Sequence, residues 1–495
     1  MKRAMITLLL LLLVFSAFTW AAASDIYETR DKVKIFENTR LGNPIAADGL
    51  SISLINTLND HLFWTMSGTS KKGKLDIETK YEFSRTQKIV SDENSYCGIK
   101  YNNALDPVKG FTKREISSLS GISLAYRELY DETPPGKREQ KEILLKDYFD
   151  YYPLEAKFDF PEDSFSIDNS YGYTGKDFYF TGSENEKKIF NSNFKIPVPE
   201  NEKLIISLEK NRDGYVEHSG WSSAGTDSYN PVTITALTED KCFFSLSMRS
   251  AEEKLVDYSQ IKYGCGIYSF NYTMPALSSI GRHIPLIDPS SFCNAFPLAP
   301  ETRVICMDTD KDNRWLYLLT EERARYIFYI IDLTDMTSFE RFELSDAYQD
   351  GLYSCKIYDE ESFITVMLNG TDKIAVISRC KGKGNGNASF KLEFVSDFFP
   401  EAYAEDDADY ADLGIEDENI NAAFAFDGKR LAVAFAYDYY YSPKESSGYI
   451  LLIITKDGPQ YIGDYKTSLN VNSDHNSRDY NVRAVDNEAL RLKWS

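Results

Sequence analysis

Three carboxylates at alternate positions of one short segment, Asp308-Thr309-Asp310-Lys311-Asp312, come nearest in type and spacing to a metal site. Oxygens spaced this way around a turn can converge on calcium, a hard cation that prefers carboxylate and carbonyl ligands. An EF-hand loop would place Gly at its sixth position and Glu at its twelfth, where this chain has Asn313 and Leu319. As a solvated hairpin turn the segment needs no metal. Calcium at Asp308, Asp310 and Asp312 is therefore the lesser expectation, and no other cofactor is expected.

Other chemistry-bearing residues are further from a motif. Gly220-Trp221-Ser222-Ser223-Ala224-Gly225 nearly spells a nucleophile elbow, with His218 close by, but the second Gly falls one place late and no strand-to-helix turn surrounds it. Lys381-Gly382-Lys383-Gly384-Asn385-Gly386-Asn387 is Gly-rich like a phosphate loop. It lacks Gly-Lys-Ser/Thr and a following helix, so it reads as a hairpin. Tyr437, Tyr439, Tyr440 and Tyr441 cluster after a strand. Exposed, they would form an aromatic platform for a ligand, although Tyr also packs half-buried strand faces. The acids of 401–418 read as a solvated loop. Asn271-Tyr272-Thr273, Asn369-Gly370-Thr371 and Asn387-Ala388-Ser389 fit the N-glycosylation pattern, which has meaning only in a eukaryotic source.

The chain start sets the compartment. Lys2 and Arg3 precede an apolar run from Met5 to Phe18 and the small residues Ala21, Ala22, Ala23 and Ser24, the layout of a secretory signal peptide cleaved after Ala23. That run falls short of the roughly 20 residues of a spanning helix. The expected mature protein, 24–495, is secreted or held in the cell envelope, without a membrane span. Losing Lys2 and Arg3 moves the formal charge from −21 to −23. Such acidity repels phosphate backbones and anionic lipid and argues against nucleic-acid partners. Seven cysteines cannot all pair within one chain. Cys242 with Cys265, or Cys293 with Cys306, are the nearest candidate bridges.

The elements that must position these residues read as strands. Short runs rich in Tyr, Phe, Ile, Val and Thr alternate with Asp, Asn, Gly and Lys turns, which predicts an all-β fold. The one helical expectation is 137–151, after Pro134-Pro135-Gly136, although Glu142-Ile143-Leu144-Leu145 is ambiguous by period and a strand is the alternative there. The C-terminal half repeats one phrase: Val304–Met307, Arg314–Leu319, Tyr326–Ile331 and Phe339–Leu344; then Tyr353–Ile357, Phe363–Leu368, Lys373–Ser378 and Phe390–Val395; then Ala422–Phe426, Arg430–Ala436, Tyr449–Thr455 and Tyr461–Tyr465. Each copy predicts four strands joined by hairpins.

Tandem four-strand units resemble the blades of WD40-like β-propellers. The resemblance is one of architecture and carries over no functional residues. It implies about seven four-stranded blades, the last completed from both chain ends, with a β-rich elaboration at about 162–230. Tandem β-sandwiches are the alternative. Cys306, Cys355 and Ala423 fall at corresponding points of the first strands, which reads the two cysteines as core packing. Earlier segments predict weaker blades at 50–90 and 96–160. Leu145-Lys146-Asp147-Tyr148-Phe149-Asp150-Tyr151-Tyr152-Pro153 resembles a phrase of secreted proteins from Gram-positive anaerobes, which implies a bacterial source.

The expected function is that of a secreted, non-catalytic protein using loops on one face of the ring to bind an extracellular glycan or envelope protein. An extracellular glycan-active hydrolase or lyase, using Asp, Glu and Tyr near the central channel, and a structural envelope component are the alternatives.

Overall fold

A computed structural model describes residues 13–20, 35–58, 62–83, 98–103, 121–152, 154–159, 190, 192–223, 230–249, 261–273, 286–347, 354–369, 373–380, 389–398, 422–437, 446–470 and 490–495. The fold is all-β, with several four-stranded antiparallel sheets. Two compact units form: the first from 1–93 and 348–495, the second from 94–347.

In the first unit, β2 (Leu50–Leu58), β3 (Leu62–Lys71) and β4 (Lys74–Phe83) make a meander whose open edge is filled by β26 (Arg491–Trp494), in the order β26-β2-β3-β4. A second sheet runs β1-β25-β24-β23-β22, from β1 (Ile35–Gly42), β22 (Ala422–Phe426), β23 (Leu431–Tyr437), β24 (Ser446–Thr455) and β25 (Gly458–Asn470). The third is β18 (Ser354–Asp359), β19 (Phe363–Asn369), β20 (Lys373–Cys380) and β21 (Ser389–Asp397) in chain order.

Strand periodicity explains how these sheets stack. Successive side chains point to opposite faces, so Tyr449, Leu451 and Ile453 of β24 pack with Leu50, Ile52, Leu54 and Met66 of the first sheet. Ile450, Leu452 and Ile454 pack the other way, with Phe363, Met367, Ile374, Val376 and Phe394 of the third. The second sheet is thus buried on both faces, the condition that produces an unbroken apolar strand. Its strands β22 and β23 carry Ala423, Ala425, Ala432 and Ala434 on the face toward β2 and Phe424, Leu431, Val433 and Phe435 on the other.

The second unit repeats the pattern. β10 (Asn230–Leu237), β11 (Lys241–Arg249), β12 (Gly266–Thr273) and β13 (Leu286–Pro297) form one sheet; β14 (Arg303–Thr309), β15 (Trp315–Glu321), β16 (Arg325–Asp332) and β17 (Phe339–Asp346) form the next. Phe243, Ile267 and Phe296 meet Leu316, Leu318, Ile327 and Ile331 between them. On its far face the β10–β13 sheet packs Phe244, Phe270 and Phe292 with Phe190, Phe194, the helix α1 (Gly121–Glu132) and β8 (Lys203–Lys210).

All three C-terminal repeat copies are single four-strand sheets, the last widened by β1. Other expectations are corrected. The predicted helix at 137–151 is the strand β6 (Arg138–Leu144) followed by one 3-10 turn, Leu145–Asp147. The helix is instead α1, Gly121–Glu132, which lies inside the predicted 96–160 blade. Ala125, Tyr126 and Leu129 are buried on one helical face, whereas Ile143 and Leu145 are buried on either side of exposed Leu144, a two-residue period. Pro134-Pro135 stops α1 rather than starting a helix: the Thr133 hydroxyl donates to the Leu129 carbonyl at 2.6 Å, and the chain cannot continue helically past the prolines. The predicted 96–160 blade does not form as one sheet, because β5 (Gly98–Asn103) pairs with β7 (Leu154–Asp159) while β6 joins β8 and β9 (Val216–Ser223). The chain ends serve two sheets rather than closing one: β26 completes the β2–β4 sheet, and β1 adds a fifth strand beside β25.

The six described cysteines carry thiols rather than disulfides, which overturns both candidate bridges. Cys242 and Cys265 are buried, Cys306 and Cys355 only half-buried, and Cys293 and Cys380 exposed. β14 and β18 are the end strands of their sheets, so Cys306 and Cys355 are less enclosed than core residues. Ala423, also on an end strand, is buried because β26 lies alongside, with the Trp494 indole N–H donating to the Ala425 carbonyl at 3.1 Å.

No helix among the described residues is long and apolar enough to cross a membrane. Residues 13–20, inside the expected signal peptide, are helical and exposed.

Candidate functional site

The predicted carboxylate triplet lies at the β14–β15 hairpin. Asp310 is buried, and its Oδ1 accepts the backbone N–H groups of Arg314 at 2.6 Å and Trp315 at 2.7 Å. Its own N–H donates to the Trp315 carbonyl at 3.0 Å. Asp308 and Asp312 are exposed, and Asp308 Oδ1 accepts the Thr309 N–H at 2.8 Å. The Thr309 hydroxyl donates to the Leu237 carbonyl at 2.8 Å, pinning β14 to β10 of the neighbouring sheet. Asp310 is therefore a turn brace. No group of three or more His, Cys, Asp or Glu among the described residues is placed to hold a metal ion.

The same device recurs at the first hairpin of other sheets. Between β22 and β23, Asp427 Oδ1 accepts the N–H groups of Lys429 at 2.9 Å and Arg430 at 2.7 Å, and its Oδ2 accepts Arg430 Nε at 2.8 Å. Partial burial raises the Asp427 pKa, but these bonds outweigh it and hold the carboxyl below its usual range. At the end of β18, Asp359 takes Arg379 Nη2 at 2.7 Å. At the β10–β11 turn, Asp240 accepts the Thr238 hydroxyl at 3.1 Å. Asp310 and Asp427 accept backbone N–H bonds that a tight turn leaves unmade, whereas Asp359 and Asp240 at the corresponding corners take side-chain donors.

Of the predicted tyrosine cluster, Tyr437 ends β23, opposite Gly448 of β24, and so lies at the other end of that sheet from Asp427. Tyr439, Tyr440 and Tyr441 lie outside the described residues, as do 381–388 and 401–418. Ser222 and His218 sit four residues apart in the single strand β9, which separates their Cα atoms by about 13 Å. Of the three Asn sequons, Asn271 lies exposed in β12, Asn369 ends β19, and Asn387 is outside the described residues.

A polar cluster that sequence reasoning missed lies across β15, β16 and β17. Glu322, just past β15, accepts the Tyr329 hydroxyl at 2.5 Å and the Thr320 hydroxyl at 3.0 Å on Oε1. Arg341 reaches Glu322 Oε2 at 3.2 Å through Nη2 and the Tyr329 oxygen at 3.2 Å through Nε. Burial, then the Glu322 carboxylate, pushes the Tyr329 phenol up, and Arg341 opposes the shift. Phe339, 49% exposed, has its ring centroid 5.8 Å from that of Tyr329. The arrangement offers a guanidinium edge beside an exposed aromatic ring. The pairing Tyr329↔Arg341 follows from strand register, so the repeat phrase could have located these two side chains once the β16–β17 hairpin was aligned.

No protein-family model matches this sequence. No curated protein matches it either. Solved structures give weak likenesses. KlHsv2 with one loop replaced by a Gly-Ser linker is 7% identical, with a TM-score of 0.19 over 40% of this chain and 66% of its own. A protein from Lactobacillus plantarum is 12% identical, with a TM-score of 0.19 over 53% of this chain and 77% of its own. A structure from a study of two prolyl endopeptidases is 10% identical, with a TM-score of 0.20 over 90% of this chain but 46% of its own, so the chain spans less than half its length. Propeller-type folds stand among these structures, weakly. Likenesses at this level carry no argument about activity.

Proposed function

We propose that this protein is exported by cleavage of residues 1–23 and acts outside the cytosol as a non-catalytic binding scaffold. Its sheets are the blades of a β-propeller of about seven, and its ligand is an extracellular glycan or an envelope protein met by loops at one end of the blades. The observation that carries the reading is how the acids are used: Asp310, Asp427 and Asp359 hold hairpins or strands, and Glu322 is tied to Tyr329 and Arg341. At these four positions the carboxylates serve to hold the fold. The sheets stacked on both faces and the β26 strand added from the far chain end support the ring.

In this reading the tyrosines after β23 form the platform. A glycan array together with capture of envelope proteins tests it, using the intact chain and a Tyr439→Ala/Tyr440→Ala/Tyr441→Ala variant. A ligand lost in the triple variant upholds the reading. Turnover of a glycan substrate by the wild-type chain would replace it with the hydrolase or lyase alternative.

A further inference from the structure

The sheet β1-β25-β24-β23-β22 has a fifth strand, and among the described residues no other sheet exceeds four. The extra strand, β1, brings little to the core. Phe36, Glu37, Asn38 and Thr39 are exposed, and Leu41 packs at the margin of the cluster that β24 shares with the third sheet. What holds β1, besides its backbone ladder to β25, is polar. The register shifts between Thr39 and Leu41, so Arg40 sits in a bulge, a device that re-aims a side chain, and its Nη2 meets Asp464 at 2.9 Å. Three positions earlier, Glu37 accepts the Tyr461 hydroxyl at 2.9 Å, and the Tyr465 hydroxyl lies 2.8 Å from that of Tyr461.

The groups on the β25 side are built in. Asp464 is 1% exposed and Tyr461 is fully buried, so the edge of β25 is shaped for an incoming strand with an acid and a base three positions apart and a bulge at the base. A strand without that cation would leave a carboxylate buried beside it. The link to the rest of the chain has a fixed end and a pivot. Beyond β1, a 3-10 turn, Pro44–Ala47, is anchored: Arg430 Nη1 donates to the Ala46 carbonyl at 2.8 Å and the Asp48 carbonyl at 3.3 Å, and the Gly73 N–H donates to Asp48 Oδ1 at 2.7 Å. Between anchor and strand stands Gly42, with φ +74°, a residue that adopts either sign of φ readily.

We infer that β25 is a strand-acceptor site for a second copy of this chain: two molecules exchange β1 about Gly42, and each β1 pairs with the other molecule's β25. Three arguments favour this occupant. An identical strand remakes every contact that β1 makes within one molecule, so only the hinge and the lost freedom of association oppose exchange. The apolar clusters on both faces of the sheet are built from other strands and stay in place when β1 leaves. The bulge, Glu37 and Arg40 together match Tyr461 and Asp464, which selects the chain's own strand over an extended peptide of different sequence. The inference stands apart from the ligand-binding reading and survives its failure.

The test uses the full chain in two single variants, Phe36→Cys and Lys466→Cys, carrying different affinity tags. Positions 36 and 466 face each other across the β1–β25 ladder, and Cβ atoms so placed lie about 5 Å apart, within disulfide reach. The variants are mixed at high concentration, incubated, oxidised with copper phenanthroline and resolved on a non-reducing gel. The expected result is a covalent dimer bearing both tags. It should exceed the background from either variant alone and from mixed tagged wild type, in which Cys293 and Cys380 are exposed. Arg40→Ala added to both variants should bring the same yield about a hundredfold sooner, because losing a buried ion pair frees β1 equally from either partner. The double variant Phe36→Cys/Lys466→Cys, kept dilute, should close within one molecule. Closure there without a two-tag dimer in the mixture overturns the inference, and so does a double variant that does not close, since β1 would then not lie on β25. A two-tag dimer formed at an unchanged rate with Arg40→Ala would trace association to another contact and overturn it too.

Discussion

The two units use similar sheets but are fastened differently. In the first, strands from opposite ends of the chain are held by polar contacts across long sequence separations. Arg40 Nη2 meets Asp464 at 2.9 Å and Tyr461 donates to Glu37 at 2.9 Å, each pair 424 positions apart. Arg430 Nη1 reaches the Ala46 carbonyl at 2.8 Å, 384 positions away, while its guanidinium lies 4.0 Å from the centre of the Trp494 ring. The second unit comes from one continuous stretch and is centred on aromatic packing: Phe190 meets Phe244, Phe270 and Phe292 at centroid distances of 6.5, 5.0 and 5.3 Å. A contiguous unit can assemble as its chain is made, whereas the first unit must wait for its last residues. Its long-range fastenings add to the apolar clusters packed between its sheets and close only over long loops.

The largest effect expected is from deleting 490–495. This removes β26, with Leu490, Leu492 and Trp494, and costs about 5 kcal/mol at the usual value of a buried apolar side chain. Hydrogen exchange should show protection lost first in β2 and β22. Loss in β12 at the same rate would break the distinction between the units. Next is Phe244→Ala, which empties the middle of the aromatic cluster and should cost about 4 kcal/mol by chemical denaturation, with β11 and β12 deprotected before β24.

Arg40→Ala should follow closely, at about 3 kcal/mol. Asp464 is 1% exposed, and removing the cation leaves its carboxylate buried without its ion-pair partner. Replacing Arg40 with Lys should recover part of the loss. Equal stability of Arg40→Ala and wild type would mean that β1 is not fastened through this pair. The crowding beneath it is separately visible at Gly463, where a Cβ would lie 2.1 Å from the Tyr461 hydroxyl oxygen, so Gly463→Ala should loosen the same strand.

How much of this was legible in the sequence follows from what sets each element. The three C-terminal copies were readable because alternation, hairpin turns and repeat spacing all agree there, as in Arg430–Ala436 followed by Tyr449–Thr455. The 121–151 stretch was not, because Ile122–Leu129 and Glu142–Leu145 are short apolar runs whose period is ambiguous. Burial by distant strands such as β8 decides between helix and strand. The Asp308-Asp310-Asp312 spacing was readable as a turn, but Asp310 turns inward to backbone N–H groups, a direction that spacing alone does not encode. The Glu322–Arg341 contact depends on the register of three strands, and the chain-end pairings on contacts more than 400 positions long.

The smallest effect tests whether the corner braces of the two units are equivalent. Asn keeps a carbonyl oxygen where Asp has Oδ1, so Asp310→Asn should retain its two backbone bonds and lose little stability. Asp427 also pairs with the Arg430 side chain, and Asp427→Asn should therefore cost more, about 1 kcal/mol at neutral pH. The Asp427 pKa lies below its ordinary value of 3.8 in the folded state, so its contribution is present above that pH and is lost as pH falls through the folded value. Wild type and Asp427→Asn should consequently converge in stability below about pH 3.8, while the gap stays constant from pH 5 to 7. Carboxyl NMR titration supplies the internal standard: exposed Asp335, held by Ser338 and Thr337, should titrate at about 2. If the Asp427→Asn gap persists undiminished into acid, the brace works through its neutral hydrogen bonds alone, and the corners of the two units are the same device.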